Sequence, residues 1–448
     1  MYQDLETLTQ LPCKVRQIEN TWIPMSDGAR LAARIWLPED AEQAPVPAIL
    51  EYIPYRKRDL TAVRDSVNHP YLAGHGYACV RVDLRGSGDS DGVLEDEYLQ
   101  RELDDGVEVI RWIAAQDWCD GNVGMIGISW GGFNGLQIAA LQPPELKAVI
   151  SLCSTDDRYD DDVHFMGGCL LGDNLSWATV MFAYNSLPPD PQIVGKRWRK
   201  MWLERLEGSG LWFEKWLRHQ RRDEYWRHGS VCEDFSRIRC PVMAASGWSD
   251  GYSNAVFRLL ARLQVPRKGL IGPWAHMYPH LGIPGPKIGF LQESLRWWDK
   301  WLKGIETGIM EEPMLRVWMQ ESVPPTTSYR TRPGRWVAEP SWPSPNIESR
   351  HYTLGQGRLA APGRDVDASE PLTIRSPLSV GLFAGKWCSY AGAPDLPHDQ
   401  REEDGGALVF DSAPLEESIE VLGAPALEVE LASNRPVAMI AARLSDVN

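Results

Sequence analysis

Apolar residues along this chain follow two patterns that alternate. Short apolar runs of strand length are followed by longer segments whose apolar residues recur every three or four positions, as at Leu99, Leu103, Val107 and Ile110. This alternation predicts an α/β fold with a parallel sheet covered by helices on both faces. The predicted strands span residues 48–53, 77–84, 123–128, 146–153, 241–247 and 268–271, after a hairpin over residues 22–38; the predicted helices span residues 98–116, 254–263, 292–302 and the segment after Ser129.

This alternation occupies residues 1–154 and 240–312, and two segments depart from it. Residues 155–239 are rich in tryptophan and helical in pattern, which predicts a helical cap inserted over the active end of the sheet. Residues 313–448 lose helical periodicity and carry short apolar runs between Pro and Gly, which predicts a separate β-sandwich domain. The strands predicted for that domain are residues 314–320, 351–354, 407–411, 424–432 and 437–444.

The last of these strands, residues 437–444, is apolar at nearly every position, as a central strand would be. Only a few residues follow it, too few to pair with its edge or cover its face, and native proteins rarely leave such an edge bare. We therefore expect the β domain to be incomplete, with an exposed apolar face at this segment. We also expect the 448 residues to be a piece of a longer chain.

The composition narrows the classes of function. The net charge is −15, from 46 basic and 61 acidic side chains, and no basic stripe occurs, so neither nucleic acid nor a membrane is an expected partner. None of the eight cysteines forms a Cys-x-x-Cys pair, and Cys79 and Cys153 have the apolar neighbours of buried thiols. The N-terminus has no basic start followed by an apolar core. We expect a cytoplasmic protein that uses no metal or cofactor, with a homo-oligomer as an open alternative to a monomer.

One stretch combines a strand, a tight turn and a helix around a serine. The strand at residues 123–128 runs into Gly127-Ile128-Ser129-Trp130-Gly131, a Gly-x-Ser-x-Gly motif, and apolar positions at helical spacing follow. In a nucleophile elbow this context exposes the serine hydroxyl at the end of the sheet, beside a helix N-terminus. The alternative is a glycine-rich turn with a passive serine.

Partners for Ser129 are expected after later strands, because ligands bind beyond the carboxyl ends of a parallel sheet. Asp250 follows the strand at residues 241–247, and His276 follows the strand at residues 268–271. Their order along the chain, serine, acid and histidine, is that of a hydrolase triad. The alternatives are a helix-capping role for Asp250 and a structural role for His276, with His280 as the rival base.

A tetrahedral intermediate needs two donors for its oxyanion. The backbone N–H of Trp130, directly after the nucleophile, is the first candidate. The second candidate is the hydroxyl of Tyr55, in the loop after the strand at residues 48–53; ordinary packing of Tyr55 is equally compatible with the residues alone. The glycine-rich residues 83–90 lack the lysine of a phosphate-binding loop and are interpreted as a structural turn.

Five aspartates lie near the predicted rim of the site, at positions 156, 157, 160, 161 and 162. A solvated, helix-capping face is the favoured interpretation, with a metal site or a pocket for a cationic group as alternatives. Asp161, Asp162 and the cap residue Trp177 are the candidates for substrate binding. The cap tryptophans are expected to make the substrate pocket apolar.

From about residue 22 to its end, the chain resembles the cocaine esterase-like hydrolases, which group with the Xaa-Pro dipeptidyl-peptidases and the α-amino acid ester hydrolases. The resemblance rests on several motifs in order: residues 52–55, 83–86, 118–124, 127–131, 247–250 and 272–276. It implies an α/β-hydrolase core, a helical cap after the strand that follows the nucleophile, and a C-terminal jelly-roll-like β domain.

The resemblance also implies roles for single residues. Ser129 would be the nucleophile, His276 the base and Asp250 its partner, with Tyr55 as the side-chain oxyanion donor. The chain departs from the pattern after Asp250: α-amino acid ester hydrolases carry further carboxylates near the site that hold the substrate's ammonium group, whereas residues 251–253 here are Gly, Tyr and Ser. Members of the family also continue well past the length of this chain.

These observations predict a metal-free serine hydrolase that acts on a small-molecule carboxylic ester, with amides as the alternative substrate. A rival from the same enzyme class is an Xaa-Pro dipeptidyl-peptidase or an α-amino acid ester hydrolase. A rival from another class is a catalytically inactive hydrolase fold that serves as a binding module.

Overall fold

The computed structural model describes residues 8, 10–364, 370–389 and 395–447. Its strands are β1 (Val15–Pro24), β2 (Arg30–Pro38), β3 (Val46–Ile53), β4 (Ala78–Asp83), β5 (Cys119–Ile128), β6 (Leu146–Leu152), β7 (Phe165–Met166), β8 (Cys169–Leu170), β9 (Val242–Gly247), β10 (Arg267–Gly272), β11 (Leu315–Gln320), β12 (Gly334–Glu339), β13 (Thr353–Gly355) and β14 (Arg358–Ala360). Its helices are α1 (Ala62–Ala73), α2 (Gln100–Ala114), α3 (Trp130–Ala140), α4 (Asp173–Asn185), α5 (Pro191–Val194), α6 (Trp198–Gly208), α7 (Trp212–Arg218), α8 (Glu224–Arg227), α9 (Ser253–Arg262), α10 (Phe290–Leu302) and α11 (Arg401–Asp404).

Ten strands form one sheet in the order β1-β2-β4-β3-β5-β6-β9-β10-β11-β12. The seven central strands from β4 to β11 run parallel, while β1, β2 and β12 pair antiparallel at the two sides. Strands β4 and β9 are buried along their whole length, as strands covered on both faces must be. The predicted α/β fold is confirmed, and the carboxyl ends of β3, β5, β9 and β10 meet at one edge of the sheet.

The core lies in two layers, one on each face of the sheet. Helices α2, α3 and α9 pack on one face, and helices α1 and α10 pack on the other. Along β4 the side chains alternate between the layers, because successive strand residues point to opposite faces: Val80 and Val82 join the first layer and Cys79 the second. Among the described residues, no helix is both long enough and apolar enough to cross a bilayer.

Residues 155–239 contain helices α4 to α8 and the ribbon of β7 and β8. Several tryptophans of this segment lie in its interior: Trp212, Trp216 and Trp226 are buried. The indole rings of Trp198 and Trp202 stack on each other with 6.0 Å between centroids. The chain leaves the sheet at the carboxyl end of β6, forms this segment and re-enters the sheet at β9. The segment therefore begins at the sheet edge that carries the carboxyl ends of the parallel strands.

The segment after residue 312 differs most from the prediction. Residues 315–320 form a strand as expected, but this strand, β11, pairs in parallel with β10 and extends the main sheet instead of belonging to a β sandwich. Assigning it to a separate sheet is wrong, because the fully buried side chains of Leu315 and Val317 complete the core beside β10.

The strands predicted at residues 407–411, 424–432 and 437–444 are also wrong for the chain as described. An extended segment becomes a strand only when a neighbour accepts and donates its ladder hydrogen bonds. Within the described residues, these segments have no such partner apart from a single bridge between Arg358 and Asp411. Nearby, β13 and β14 form a two-stranded ribbon that includes part of the predicted strand at residues 351–354. Apolar side chains of residues 437–444 are exposed, as expected, with Val437 81% and Met439 79% exposed, but without a strand they do not form the face of a sheet.

Candidate active site

The Gly-x-Ser-x-Gly motif forms a sharp turn between β5 and α3. Ser129 has φ 58° and ψ −123°, a left-handed conformation that non-glycine residues rarely adopt. The backbone around it is fixed, because the Ser129 N–H donates to the Leu152 carbonyl at 2.9 Å and the Ser129 carbonyl accepts from Gly132 and Phe133. Backbone strain of this kind persists only where the surroundings impose it, and it is common at functional sites.

Gly127 makes the close approach of β5 and α3 possible. A Cβ at this position would lie 2.5 Å from the carbonyl carbon of Gly131, a backbone atom that cannot move aside. We therefore expect Gly127→Ala to lower the free energy of unfolding by about 1–3 kcal/mol, measured as a shift in the urea midpoint. Gly135→Ala in α3 is the control, since its Cβ would meet only a Val149 methyl group at 3.4 Å. Equal midpoints for the two variants would contradict this interpretation of Gly127.

Asp250 and His276 lie side by side after β9 and β10. His276 Nδ1 is 2.9 Å from Asp250 Oδ1, and the Ser246 hydroxyl donates to Asp250 Oδ2 at 2.6 Å. Burial favours protonation of Asp250, but the His276 ring and hydrogen bonds from Ser246 and Cys153 outweigh it, so the pKa of Asp250 lies below its ordinary value. A buried carboxylate held ionised in this way can orient an imidazole and stabilise its protonated form.

The rival histidine is in a different environment. His280 Nε2 bonds the side-chain oxygen of Asn68 at 2.9 Å, on α1. Burial lowers the pKa of His280 to about 4, with the positive charge of Lys287 adding to the effect. Among the described contacts, no carboxylate hydrogen bonds the His280 ring, so the structure joins Asp250 to His276 and not to His280.

The two predicted oxyanion donors flank Ser129. Trp130 is the first residue of α3, where backbone N–H groups have no acceptor within the helix. Burial raises the pKa of Tyr55 well above its ordinary value, and the nearby Ser129 side chain offsets this only in part, so the Tyr55 hydroxyl keeps its proton. The Tyr55 and Trp130 rings meet edge to face with 6.3 Å between centroids.

The loop that carries Tyr55 is held by the glycine-rich turn at residues 83–90. Lys57 is fully buried, its N–H donates to Asp83 Oδ1 at 2.7 Å, and its ammonium pairs with Asp89 at 2.8 Å. The Ser87 hydroxyl donates to the Pro54 carbonyl. The turn is therefore structural, as the sequence predicts, and it fixes the residues on both sides of Tyr55.

A small recess opens beside Ser129. Its walls include aromatic side chains, but two buried carboxylates also face it, so the apolar pocket expected from the cap tryptophans is only partly formed. The lining residues are Glu97, Tyr98, Ser129, Phe133, Asp162, Val163, Trp177 and Tyr252.

The two carboxylates of the recess differ in charge. Glu97 accepts from His164 at 2.6 Å, from Arg158 at 3.3 Å and from the Trp177 indole at 3.1 Å. Burial would raise the pKa of Glu97, but these partners lower it to about 2. Asp162 accepts from the Tyr252 hydroxyl at 3.1 Å, and burial together with the nearby charge of Glu97 raises its pKa to about 7.

The interpretation of the acidic run as a solvated face is wrong for three of its members. Asp156, Asp161 and Asp162 are buried, and Arg258 of α9 pairs with the first two. Its guanidinium pairs with Asp156 and with Asp161, each at 2.7 Å. Of the predicted substrate-binding residues, Asp162 and Trp177 line the recess and Asp161 does not.

Two groups of side chains within the described residues have the ligand types of a metal site. One is Cys153, Asp250 and His276, which includes the acid and histidine described above. The other is the buried cluster of Glu51, Asp65 and His69, into which two arginines insert. Arg64 bonds Glu51 at 2.7 Å and Asp65 at 2.9 Å, and Arg81 lies 3.4 Å from Asp65. These guanidinium groups compensate the carboxylate charges, so the cluster is interpreted as a structural ion network.

Sequence reasoning missed Glu97, which precedes α2, and Glu102, which lies in the first turn of α2. Acidic residues there are typical of helix capping, and only the fact that Glu102 shares a helical face with Val109 and Ile113 indicates burial. It also missed Cys388, whose thiol donates to Asp250 Oδ1 at 3.4 Å from the C-terminal part of the chain. No local pattern around Cys388 indicates this contact.

Comparison with known proteins finds relatives by sequence and a similar fold among solved structures. A putative serine esterase of Mycobacterium bovis is 25% identical, with 90% of this chain and 73% of the relative aligned. The cocaine esterase of a Rhodococcus species is also 25% identical, over 96% of this chain and 80% of the relative. Among solved structures, a CocE/NonD family hydrolase of Staphylococcus aureus has a similar fold, with a TM-score of 0.59 and 22% sequence identity. The match covers 77% of this chain and 60% of that protein.

Two family models match separate parts of the chain. Residues 307–448 match the X-Pro dipeptidyl-peptidase C-terminal non-catalytic domain, so the chain has a C-terminal domain of this type after its α/β-hydrolase core. Residues 27–278, more than half of the chain, match the X-Pro dipeptidyl-peptidase model of the S15 family. The predicted resemblance is therefore confirmed, and the chain is a hydrolase that belongs to the X-Pro dipeptidyl-peptidase (S15) family, in which serine esterases and Xaa-Pro dipeptidyl-peptidases are its relatives.

Proposed function

We propose that this chain is a serine esterase that cleaves small carboxylic esters through an acyl-enzyme on Ser129. The observation that carries the proposal is the arrangement at the sheet edge. A strained serine follows β5, and a hydrogen-bonded acid and histidine pair follows β9 and β10. These are the three positions from which a hydrolase triad is assembled on a parallel sheet.

Each proposed role follows from the chemistry of the side chain. The Ser129 hydroxyl attacks the ester carbonyl, and the His276 ring takes its proton through the nitrogen that does not face Asp250. Asp250 keeps the ring oriented and stabilises the imidazolium. The Trp130 N–H and the Tyr55 hydroxyl donate to the oxygen that becomes negative. His276 then returns the proton to the leaving alcohol, and water hydrolyses the acyl-enzyme by the same steps in reverse.

A second candidate, hydrolysis of α-amino acyl esters or amides, is favoured by one feature of the recess. Asp162 is 1% exposed, faces the recess beside Ser129 and, within the described residues, pairs with no arginine or lysine. When ionised, a carboxylate at this place, whose charge His164 compensates only in part, would favour an ammonium group on the substrate. Glu97 contributes less, because Arg158 and His164 already compensate its charge.

Two matched substrates separate the candidates: the p-nitrophenyl esters of propionate and of alanine, which differ only in the α-amino group. For a general esterase we expect the propionate ester to be cleaved at least as well as the alanine ester. Asp162→Asn should then change the KM for each ester by no more than about twofold. For the second candidate, Asp162→Asn should raise KM for the alanine ester alone, by about tenfold for about 1.4 kcal/mol of lost binding.

Two further outcomes would count against an esterase. Release of nitroaniline from an Ala-Pro anilide with poor ester turnover would favour an Xaa-Pro dipeptidyl-peptidase. No turnover of any substrate, together with no labelling of Ser129 by a fluorophosphonate probe, would leave a binding module as the remaining function.

We also propose a cytoplasmic location and a small molecule as the only partner class, with the oligomeric state left open. All eight cysteines are thiols, as is usual in a reducing compartment. The net charge of −15 disfavours nucleic acid and anionic membrane surfaces as partners.

A further inference from the structure

Glu102 is a buried carboxylate that contacts the nucleophile turn from behind. Its side chain is 4% exposed and lies near the N-terminal end of α2. Glu102 Oε1 accepts from the Trp130 indole N–H at 2.7 Å and from the Asn134 amide at 3.2 Å, and Oε2 accepts from the Tyr98 N–H at 2.9 Å. Both acceptor atoms are therefore used, and two of the three donors belong to α3, the helix that begins at the nucleophile.

The contact with Trp130 connects Glu102 to both proposed oxyanion donors. The backbone N–H of Trp130 is one donor, and the fully buried indole ring of Trp130 packs edge to face against the ring of Tyr55, the other donor. A shift of the indole would therefore move the first donor directly and the second through the ring contact.

A second route connects Glu102 to the strand that leads into the Tyr55 loop. The Asn134 amide, which bonds Glu102, also donates to the Tyr52 carbonyl at 2.7 Å. The Tyr52 hydroxyl in turn donates to the Glu102 backbone carbonyl at 3.1 Å. Glu102 thus joins α2, the first turn of α3 and the end of β3, three residues before Tyr55.

The charge of Glu102 is stabilised by neutral donors. Within the described residues, no lysine or arginine forms an ion pair with this carboxylate, and the ionisable groups that interact with it include Glu97, Tyr52 and Tyr98. Burial raises its pKa to about 7, and the hydrogen bonds from Trp130, Asn134 and Tyr98 limit that rise. A buried carboxylate without a counter-ion is costly, and here the three hydrogen bonds from neutral donors offset part of that cost.

We propose that Glu102 is a positioning residue that fixes the geometry of the oxyanion hole by holding Trp130 and, through it, Tyr55. It contacts neither the substrate nor the reacting atoms. This inference rests on the proposed esterase function, because it assigns Glu102 a part in the same reaction.

The test uses Glu102→Gln in the full chain, with rates expressed per fluorophosphonate-labelled Ser129 so that unfolded protein does not contribute. Glutamine keeps the shape but places an amide NH₂ against one of the three N–H donors. The oxyanion donors act only on the transition state, so displacing them by a fraction of an ångström weakens transition-state binding. We therefore expect kcat to fall by about 10- to 100-fold. KM should change by less than about twofold.

Trp130→Phe is the second variant and removes the indole N–H while leaving the backbone donor in place. We expect it to lower kcat in the same way, and we expect Glu102→Gln to lose most of its effect in the Trp130→Phe background, because coupled residues are not additive. If Glu102→Gln fails to fold, the Trp130→Phe variant alone tests the proposal, and an unchanged kcat in Trp130→Phe would overturn it.

Glu339→Gln is the matched control. Glu339 is also a buried carboxylate bonded by neutral donors, from Ser344 and Asn346, but it lies on β12 away from the serine. Its substitution should leave kcat unchanged. An unchanged kcat in Glu102→Gln, a rise of KM alone, or full additivity with Trp130→Phe would each overturn the positioning role. Failure of the unmodified chain to react with the probe would instead overturn the esterase function.

Discussion

Ser129→Ala is expected to abolish ester turnover without changing the fold. The Ser129 hydroxyl faces the recess, whereas the strained turn is held by backbone hydrogen bonds to Leu152, Gly132 and Phe133 that alanine also makes. We therefore expect kcat to fall by about 10⁴- to 10⁶-fold, with the circular dichroism spectrum and urea midpoint unchanged. Fluorophosphonate labelling should disappear with activity. Labelling that persists in Ser129→Ala would show that another residue is the nucleophile.

His276→Ala is expected to cost a comparable factor, because the members of a triad act as one unit. His280→Ala is the matched control: it removes a buried histidine four residues away, bonded to Asn68 and not to the acid. We expect His280→Ala to reduce stability and to retain most of the turnover per folded molecule. The opposite result, activity in His276→Ala and none in His280→Ala, would mean that His280 is the base.

The positions of the three proposed triad residues could be predicted because they depend on local pattern and fold topology together. Each follows an apolar run that had to be a parallel strand, and the ends of such strands meet at one edge. The hydrogen bond between His276 and Asp250 therefore needed no information beyond the order of strands. The same argument placed Tyr55 after β3, where its side chain meets that of Ser129.

The rest depends on contacts between residues that are far apart along the chain. Arg258 lies about a hundred residues from Asp156 and Asp161, and nothing in the acidic run itself indicates that a guanidinium buries it. Glu102 is an acidic residue in the first turn of a helix, a type usual in capping, and its partner Trp130 is part of another motif. Interior charges of this kind are satisfied by tertiary contacts, which periodicity does not encode.

Strand prediction failed for a related reason. The apolar runs at residues 424–432 and 437–444 have the composition of strands, but composition fixes a strand only when a partner pairs with it. In contrast, the run at residues 315–320 found a partner in β10, which offered an unpaired edge of the main sheet. Residue preference was similar in the two cases, and the available edge decided the outcome.

The remaining large effect is expected from Tyr55→Phe. The substitution removes one hydroxyl and keeps the ring, so the edge-to-face contacts with Trp130, Trp177 and Tyr184 at 6.2–6.4 Å remain, and the fold should be unaffected. Burial keeps this hydroxyl protonated by raising its pKa well above the ordinary value, so it is a donor throughout the working pH range.

The donor acts on charge that exists only in the transition state, so its loss should appear in kcat and not in KM. We expect Tyr55→Phe to lower kcat by about 10²- to 10³-fold, with KM for a p-nitrophenyl ester changed by less than about threefold. Tyr184→Phe is the matched control, because the Tyr184 ring, on α4, also packs against Tyr55. Its hydroxyl is not a proposed oxyanion donor, so kcat should be nearly unchanged. An unchanged kcat in Tyr55→Phe would mean that the tyrosine only packs and that the second oxyanion donor lies elsewhere. A rise in KM alone would make Tyr55 a substrate-binding residue, whereas a fall in kcat alone would identify its hydroxyl as the partner of the Trp130 N–H in stabilising the oxyanion.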